Sequence, residues 1–305
     1  MFKFGICTLH QLQTARPHSV FGGKKKISVS LLRDVDKKPI GARVYEAIMF
    51  EQVDDRGTYK RTSDSRFAEF DVLAADEIEK LAKRTNRSVR IHDAAVSTGQ
   101  TSVDFFDVLR RRDLNVQYLA TDYCPYLTLL SDNRLLVTVT PSGSIVDITF
   151  APFVFTPSKL ESYIFYPGNH VVRKFLLGGR IRKLLRHYRT GTLDPESVTK
   201  INLFCPQARE LETRNKAFRL DQFDLLSNTV TPNQYDIFRA MNVLNPTYFS
   251  KNEIKQLLLN VHKAQVETTG KPYRLAADNT AGGQIEVCQA IRLAALRIAV
   301  ADRSI

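Results

Sequence analysis

Three aspartates each follow a short apolar run: Asp93 ends "VRIHD", Asp122 ends "NVQYLATD", and Asp224 ends "FRLDQFD". A carboxylate at the carboxyl end of a strand accepts hydrogen bonds from the two hydroxyls of a ribose, or from the exocyclic amine of an adenine. Asp122 is the acid placed for the ribose, and Asp224 the one placed for the adenine. After Asp93, the residues Ala94, Ala95, Ser97, Thr98 and Gly99 carry almost no side-chain bulk; Phe105, Phe106, Val108 and Leu109 then recur at helical spacing. A small-residue turn between a strand and a helix lets a ligand approach the backbone closely. The turn lacks the GxGxxG spacing that seats a pyrophosphate, and no GxxxxGK[ST] occurs anywhere, which disfavours a nicotinamide dinucleotide and excludes a P-loop. The pattern points to a nucleoside cofactor without phosphates.

The elements that must hold these groups read as alternating strands and helices. "AADEIEKLAKRTN", from Ala74, has Ile78, Leu81 and Ala82 on one face and acids in its first turn, a helix pattern. The strand ending at Asp93, the helix after it and the strand ending at Asp122 form a βαβ unit, which requires a parallel sheet. "RLLVTVTPSGSIVDITF" is two alternating runs around Pro141-Ser142-Gly143, a hairpin signal. "GGRIRKLLRHYRTG" places Ile181, Leu184, Leu185 and Tyr188 on one helical face and Arg182, Arg186 and Arg189 on another. "VTKINLFCP" and "YDIFRAMNVLN" read as further strands. "SKNEIKQLLLNVHKA" opens with a capping box, Ser250 with Glu253. "ARVYEAIMFEQV" fits either a strand edge or a short helix. After Gly270 no closing hairpin is recognisable, and the C-terminal stretch reads as an amphipathic helix. The expected fold class is α/β: a Rossmann-like, doubly wound, mostly parallel sheet with flanking helices, plus a β-hairpin/helix insertion and an N-terminal extension. The expected division is an accessory segment 1–73 and a main domain 74–305 with an insertion over about 130–197, which would lie as a lid near the site.

The chain has 305 residues, 43% of them hydrophobic, enough for one large domain or one domain with an appendage. Its net charge of +12 favours acidic partners or describes a basic chain with none. The face of Arg182, Arg186 and Arg189 is accordingly either solvated or a contact surface for an acidic partner or nucleic acid. Cys7, Cys124, Cys205 and Cys288 are scattered, which argues against a zinc site or a disulfide scaffold and fits a reducing cytoplasm. No metal site is expected, no signal peptide is recognised, and no apolar run approaches the ~20 residues of a membrane span.

Each candidate has a plainer alternative. Asp93 fits a turn cap, Asp122 an N-cap, and Asp221 lies close enough to exchange roles with Asp224. His92 fits a satisfied core histidine, and Asn242 fits a residue serving buried backbone. Arg239, a charge inside an apolar strand, is either a site residue or half of a structural ion pair.

Taken in order, the segments Asp93–Gly99, Asp122, Asp224 and Asp236–Asn242 resemble class I S-adenosylmethionine-dependent methyltransferases, and within them the chemotaxis-receptor methyltransferase group. "DAAVSTGQT" is similar to that group's "AGCSTGEE", "LATDY" to its "ATDID", and "YDIFRAMNVLNPTYFS" to its "fDlIfCRNVLIYFd". The resemblance spans roughly Ala74 to Gly270. It implies an S-adenosylmethionine site formed by Asp93, Ala95, Ser97, Thr98, Gly99, Thr101, Asp122, Tyr123, Asp224, Leu225, Arg239 and Asn242, and methyl transfer to a carboxylate, hydroxyl or amine. Ala95 stands where the family has its first glycine, and Gln100-Thr101 replaces an acidic pair. No general base is identifiable. The alternative reading is a catalytically degenerate domain of the same fold that binds RNA or an acidic partner through its basic surface.

Overall fold

The computed structural model describes residues 2, 4–14, 26–34, 41–49, 52, 60, 67–155, 167–226, 234–241, 249–264 and 273–277. In chain order these form α1 (Leu9–Thr14), a 3-10 turn (Val29–Asp34), α2 (Ala42–Met49), α3 (Ala68–Thr85), β1 (Val89–Ala94), α4 (Gln100–Arg111) and β2 (Val116–Asp122). There follow β3 (Tyr126–Asp132), β4 (Leu135–Val139), β5 (Ile145–Phe150), β6 (Phe153–Phe155), α5 (Pro167–Val171), a π-helical stretch (Val172–Leu177) and α6 (Gly178–Arg189). The chain continues through β7 (Val198–Asn202), α7 (Pro206–Arg214), β8 (Phe218–Gln222), β9 (Ile237–Met241), α8 (Lys251–Ala264) and β10 (Tyr273–Ala277). The elements fall into two compact units, one of residues 1–61 and 126–203, the other of 62–125 and 204–305.

The second unit carries the parallel sheet, in the order β10-β9-β1-β2-β8, with every pairing parallel. Numbered along the chain within this unit, the order is 5-4-1-2-3, the doubly wound arrangement with its switch of direction at β1. A strand in such a sheet is covered on both faces, and β9 is buried at every position. One face packs on α3 and α4 through Phe70, Ile78, Phe105, Phe106 and Leu109. Tyr118 and Phe218 stack there with ring centroids 5.4 Å apart. The other face is covered by Phe249, Leu257 and Val261, which pack with Ala94, Leu225, Phe238 and Ala240. The α/β, Rossmann-like expectation therefore holds.

The first unit is an antiparallel sheet in the order β6-β5-β4-β3-β7. The expected hairpin is β4 and β5, paired from Leu135↔Phe150 to Val139↔Ile145. Leu177, Ile181 and Leu184 pack on Leu130, Val137 and Ile148 of this sheet. The N-terminal residues join it through a buried polar cluster. Ser28 Oγ donates to Asp147 Oδ2 at 3.0 Å, Val29 N donates to the same oxygen at 2.9 Å, and Ser28 and Thr149 hydroxyls lie 2.6 Å apart. Burial pushes the Asp147 carboxyl above its ordinary range, against the lowering effect of these bonds. The Tyr45 hydroxyl donates to the Leu203 carbonyl.

Several expectations are corrected. Of the two readings open for "ARVYEAIM", the structure has the short helix, α2. α3 starts at Ala68 because Phe70 and Asp71 already belong to its buried face, so a boundary at 73 would cut it. β7 pairs antiparallel with β3 and joins the first unit, not the parallel sheet; its half-exposed pattern suits a strand at a sheet edge. β10 is a parallel strand where none was recognised. The expected C-terminal amphipathic helix lies outside the described residues. No helix among the described residues is long and apolar enough to cross a membrane.

Candidate functional site

The turn after β1 has an unusual backbone. Ala95, Ser97 and Gly99 all take left-handed conformations, with φ of 59°, 59° and 79°. For a non-glycine residue this conformation costs roughly 1–2 kcal/mol, so two in one turn mark a backbone imposed by something other than local preference. The alternation matches a turn with a small or absent side chain at every second position. Only Gly99 announces this in the sequence, and its glycine has a packing reason. A Cβ there would lie 3.3 Å from Ala208 Cβ and 3.4 Å from the Phe204 ring. Cys205 N donates to Thr98 O at 2.7 Å, so this end of the turn is sealed by the approach to α7. Ala95 and Ser97 are half-buried.

Asp122 fastens the turn to the end of β2. Its Oδ2 accepts from Ser97 N at 2.8 Å, and its Oδ1 accepts from Cys124 N at 2.9 Å. Phe223 N donates to the Asp122 carbonyl at 3.0 Å, and Gln222 Nε2 donates to the Tyr123 carbonyl at 3.1 Å. These bonds bring the loop after β8 to the same end of the sheet. Ala95, Phe223 and Leu226 border the cluster that contains Leu225. Asp224 Oδ1 accepts from Leu226 N at 2.9 Å and so shapes its own loop. The carboxyl ends of β1, β2 and β8 thus gather Ala95, Ser97, Asp122, Tyr123, Asp224 and Leu225. Phe223, which the sequence reading passed over, joins them: it is a half-buried aromatic directly before Asp224, and an aromatic beside an acid after a strand was the available signal.

Asp93 and Arg239 lie elsewhere. They are cross-strand partners on the face under α3 and α4, and both are buried. Arg239 donates to Asp93 Oδ2 at 2.7 Å and to Asp71 Oδ1 at 2.9 Å. Asp93 Oδ2 also accepts from Ser102 Oγ at 2.7 Å and from Tyr118 OH at 2.6 Å. The Arg239 guanidinium carbon sits 4.8 Å from the Phe105 ring centroid. Burial opposes the charge on Arg239, but Asp93, Tyr118 and Asp71 more than offset it and hold the guanidinium firmly protonated. Burial pushes Asp71 up to about 6, with Arg239 pulling the other way. The two residues that the resemblance gave to a cofactor hold the core together: of the two readings open for Arg239, the structure has the ion pair.

Thr98 and Thr101 are buried at the start of α4, and Gln100 Nε2 donates to Asp104 Oδ1 at 3.2 Å. Asn242 lies outside the described residues. Asp236 is structural: Arg87 donates to it at 2.8 and 2.6 Å, and Arg90 N at 2.9 Å. Burial raises the Cys205 thiol to about 11, so it stays protonated and is no nucleophile at neutral pH. No group of three metal-ligating side chains is found among the described residues.

A nucleoside cofactor fits these residues on two counts. The turn offers backbone and small side chains where a bulky chain would block approach. Ser97 Oγ is buried with no hydrogen-bond partner among the described residues, an orphaned polar atom beside Asp122.

No family model matches the chain, and no curated protein matches it. Among solved structures it is similar to the CurJ carbon methyltransferase, at 13% identity over 69% of this chain and 35% of that one, with a TM-score of 0.36. It is also similar to a putative S-adenosyl-L-methionine-dependent methyltransferase from Methanococcus maripaludis, at 9% identity over 70% and 58% of the two chains, TM-score 0.30. A third is the CMeT domain of the citrinin polyketide synthase, at 14% identity over 83% and 42%, TM-score 0.36. This chain spans between 35% and 58% of the lengths of these three. Likeness at TM-scores this low leaves the strand order and the turn geometry as the ground for any functional reading.

Proposed function

We propose that this protein is an S-adenosylmethionine-dependent methyltransferase whose cofactor site lies at the carboxyl ends of β1, β2 and β8. The observation that carries the reading is the Ala95–Gly99 turn, left-handed at three alternate positions and tied by Ser97 N to the carboxylate of Asp122. A turn of this shape beside an acid at the end of the next strand suits a ribose with a small, phosphate-free tail, and the 5-4-1-2-3 sheet supplies the crevice in which such ligands bind. The sequence resemblance, which includes "LATDY" around Asp122, points the same way.

In this reading Asp122 accepts from the ribose hydroxyls, held in orientation by the amides of Ser97 and Cys124. Ser97 Oγ would gain a partner in the cofactor, Phe223 would offer an apolar face to the adenine, and Asp224 would accept from its amine. The bound cofactor supplies a sulfonium methyl, already a strong electrophile. For an acceptor that arrives as an anion the chain would need to supply no general base; its residues would contribute by holding cofactor and acceptor in place, which supplies a large part of the barrier reduction. The chain's contribution is therefore positioning: a rigid, amide-clamped acid at the ribose and a turn that keeps bulk away from the reacting end.

Calorimetric titration with S-adenosylhomocysteine at moderate salt tests this. The expected result is micromolar binding, weakened at least about tenfold in Asp122→Asn through loss of charge-assisted hydrogen bonds, with no response to nicotinamide dinucleotides. A folded sample that does not bind overturns the reading in favour of a degenerate domain of the same fold.

A further inference from the structure

The helical segment from Pro167 to Arg189 in the first unit has a surface that the proposed methyl transfer does not use. The segment holds seven Lys and Arg residues and no acidic one. Its inward side is Val172, Leu177, Ile181 and Leu184, packed on the antiparallel sheet. The first step along that side, Val172 to Leu177, is five residues, and it falls in the π-helical stretch. In a regular α-helix the residue one turn after Val172 is Leu176, which would then face inward. The wider turn brings Leu177 inward and leaves Lys174, Phe175 and Leu176 outside as three consecutive exposed residues.

Phe175 is 70% exposed, Leu176 68% and Val171 49%, high values for large apolar side chains on one short stretch. Beyond them, Arg182, Lys183, Arg186 and Arg189 are also exposed. None of these four has an ion-pair partner among the described residues, whereas Arg180 is held by Asp132 at 3.0 Å. Val171, Phe175, Leu176, Arg182, Arg186 and Arg189 are all exposed, so the outward surface of the segment runs from an apolar end to a cationic end. At the apolar end the half-exposed Phe2 ring lies against Gly168, where a Cβ would come within 2.6 Å of it. Phe2 and Phe4 both pack on Phe153, at centroid distances of 5.7 and 5.5 Å.

We infer that this face docks on the surface of an anionic phospholipid bilayer, with Phe175, Leu176 and Val171 entering the interface and the arginines and Lys183 lying along the headgroups. Charge complementarity selects an anionic partner, and the apolar residues select a bilayer over nucleic acid. Single-stranded nucleic acid rewards aromatic platforms, and it gives no return on exposed Val171 or Leu176. A helix with a cationic stripe and large apolar side chains at one end is the arrangement that binds in the plane of a membrane surface without crossing it.

The test is co-sedimentation of the full-length protein with vesicles of mixed phosphatidylglycerol and phosphatidylcholine, against vesicles of phosphatidylcholine alone and against a mixed-sequence single-stranded RNA. Binding to the anionic vesicles only, falling as salt rises, is expected. Phe175→Ser combined with Leu176→Ser should lower it roughly tenfold or more. Both side chains are exposed, so the far-UV spectrum should not change. Arg182→Glu combined with Arg186→Glu should also abolish binding. No vesicle binding overturns the inference. So does vesicle binding indifferent to the Phe175/Leu176 change, which would make the contact purely electrostatic. RNA binding in the absence of vesicle binding would assign the face to nucleic acid. None of these outcomes depends on whether S-adenosylhomocysteine binds.

Discussion

At the scale of single residues, Asp71 and Asp93 are arranged around Arg239, and His92, the one buried histidine among the described residues, stands apart from them. Arg239 sits between Asp93 and Asp71, so removal of any member leaves a charge stranded in the core. The sequence showed an arginine inside an apolar strand but not its partners, because Asp71 lies 168 residues away along the chain. His92 is on the opposite face, with Phe223, Tyr235 and Phe238 rings within 5.0 Å and Nε2 2.8 Å from Thr121 Oγ1. Burial lowers its pKa to about 3, so it folds as the neutral imidazole. The unfolded chain protonates this residue near 6.5. A depressed folded pKa gives stability that is full above 6.5 and lost as pH falls from 6.5 towards 3. His92→Gln, which keeps a partner for Thr121, should therefore show a shallower loss of stability across that window, by up to about 1.4 kcal/mol per pH unit. Urea midpoints at pH 7, 5 and 4 measure the difference, and parallel curves for the two proteins would refute it. His92 is in the core as the sequence suggests, but only its Nε2 is satisfied: Nδ1 has no hydrogen-bond partner among the described residues.

At the scale of elements, the turn after β1 shows what a sequence reveals and what it hides. Its small residues were visible, and so was the strand–turn–helix order. The left-handed backbone at Ala95 and Ser97 was not, since neither residue type advertises that conformation. Ala95→Gly and Ser97→Gly should each relieve strain and stabilise the protein by up to about 1 kcal/mol. Gly99→Ala should do the reverse, because the same conformation there is combined with close contacts to Ala208 and Phe204. Thermal unfolding of the three variants gives the signs directly. The capping box was legible and is present: Glu253 Oε2 accepts from Ser250 N at 2.8 Å, and Ser250 Oγ accepts from Glu253 N at 3.3 Å. A capping box is local, and local signals survive translation from sequence to structure. β10 escaped notice because its identity comes from pairing with β9, a relation that its own residues do not encode.

At the scale of the whole molecule, the division into two units was only partly visible. The long span between Asp122 and Asp224 marked an inserted segment, but nothing in the first sixty residues showed that they share a unit with it. The insertion leaves and returns through paired strands, with Tyr126 opposite Asn202, so its two ends meet. Every residue of the candidate site belongs to the other unit. A chain of residues 62–125 and 204–305 joined by a short Gly-Ser bridge should therefore fold, with a cooperative thermal transition and the helix and strand content of the parallel sheet by circular dichroism. A non-cooperative melt would show that the parallel unit cannot stand alone.

The interleaving of the two units also has a consequence for the protein's birth on the ribosome. Ser28 must find Asp147, 119 residues later, before the N-terminal segment has its buried partner. The parallel sheet meanwhile begins with β1 and is completed only when β9 and β10 have emerged. The first unit can close only once residue 203 has emerged, at which point the second is still being made. The nascent chain must carry its earliest apolar residues, Ile6 and Ile27 among them, uncovered through much of translation. Cells should therefore need chaperone capacity for this chain in proportion to the rate at which it is synthesised.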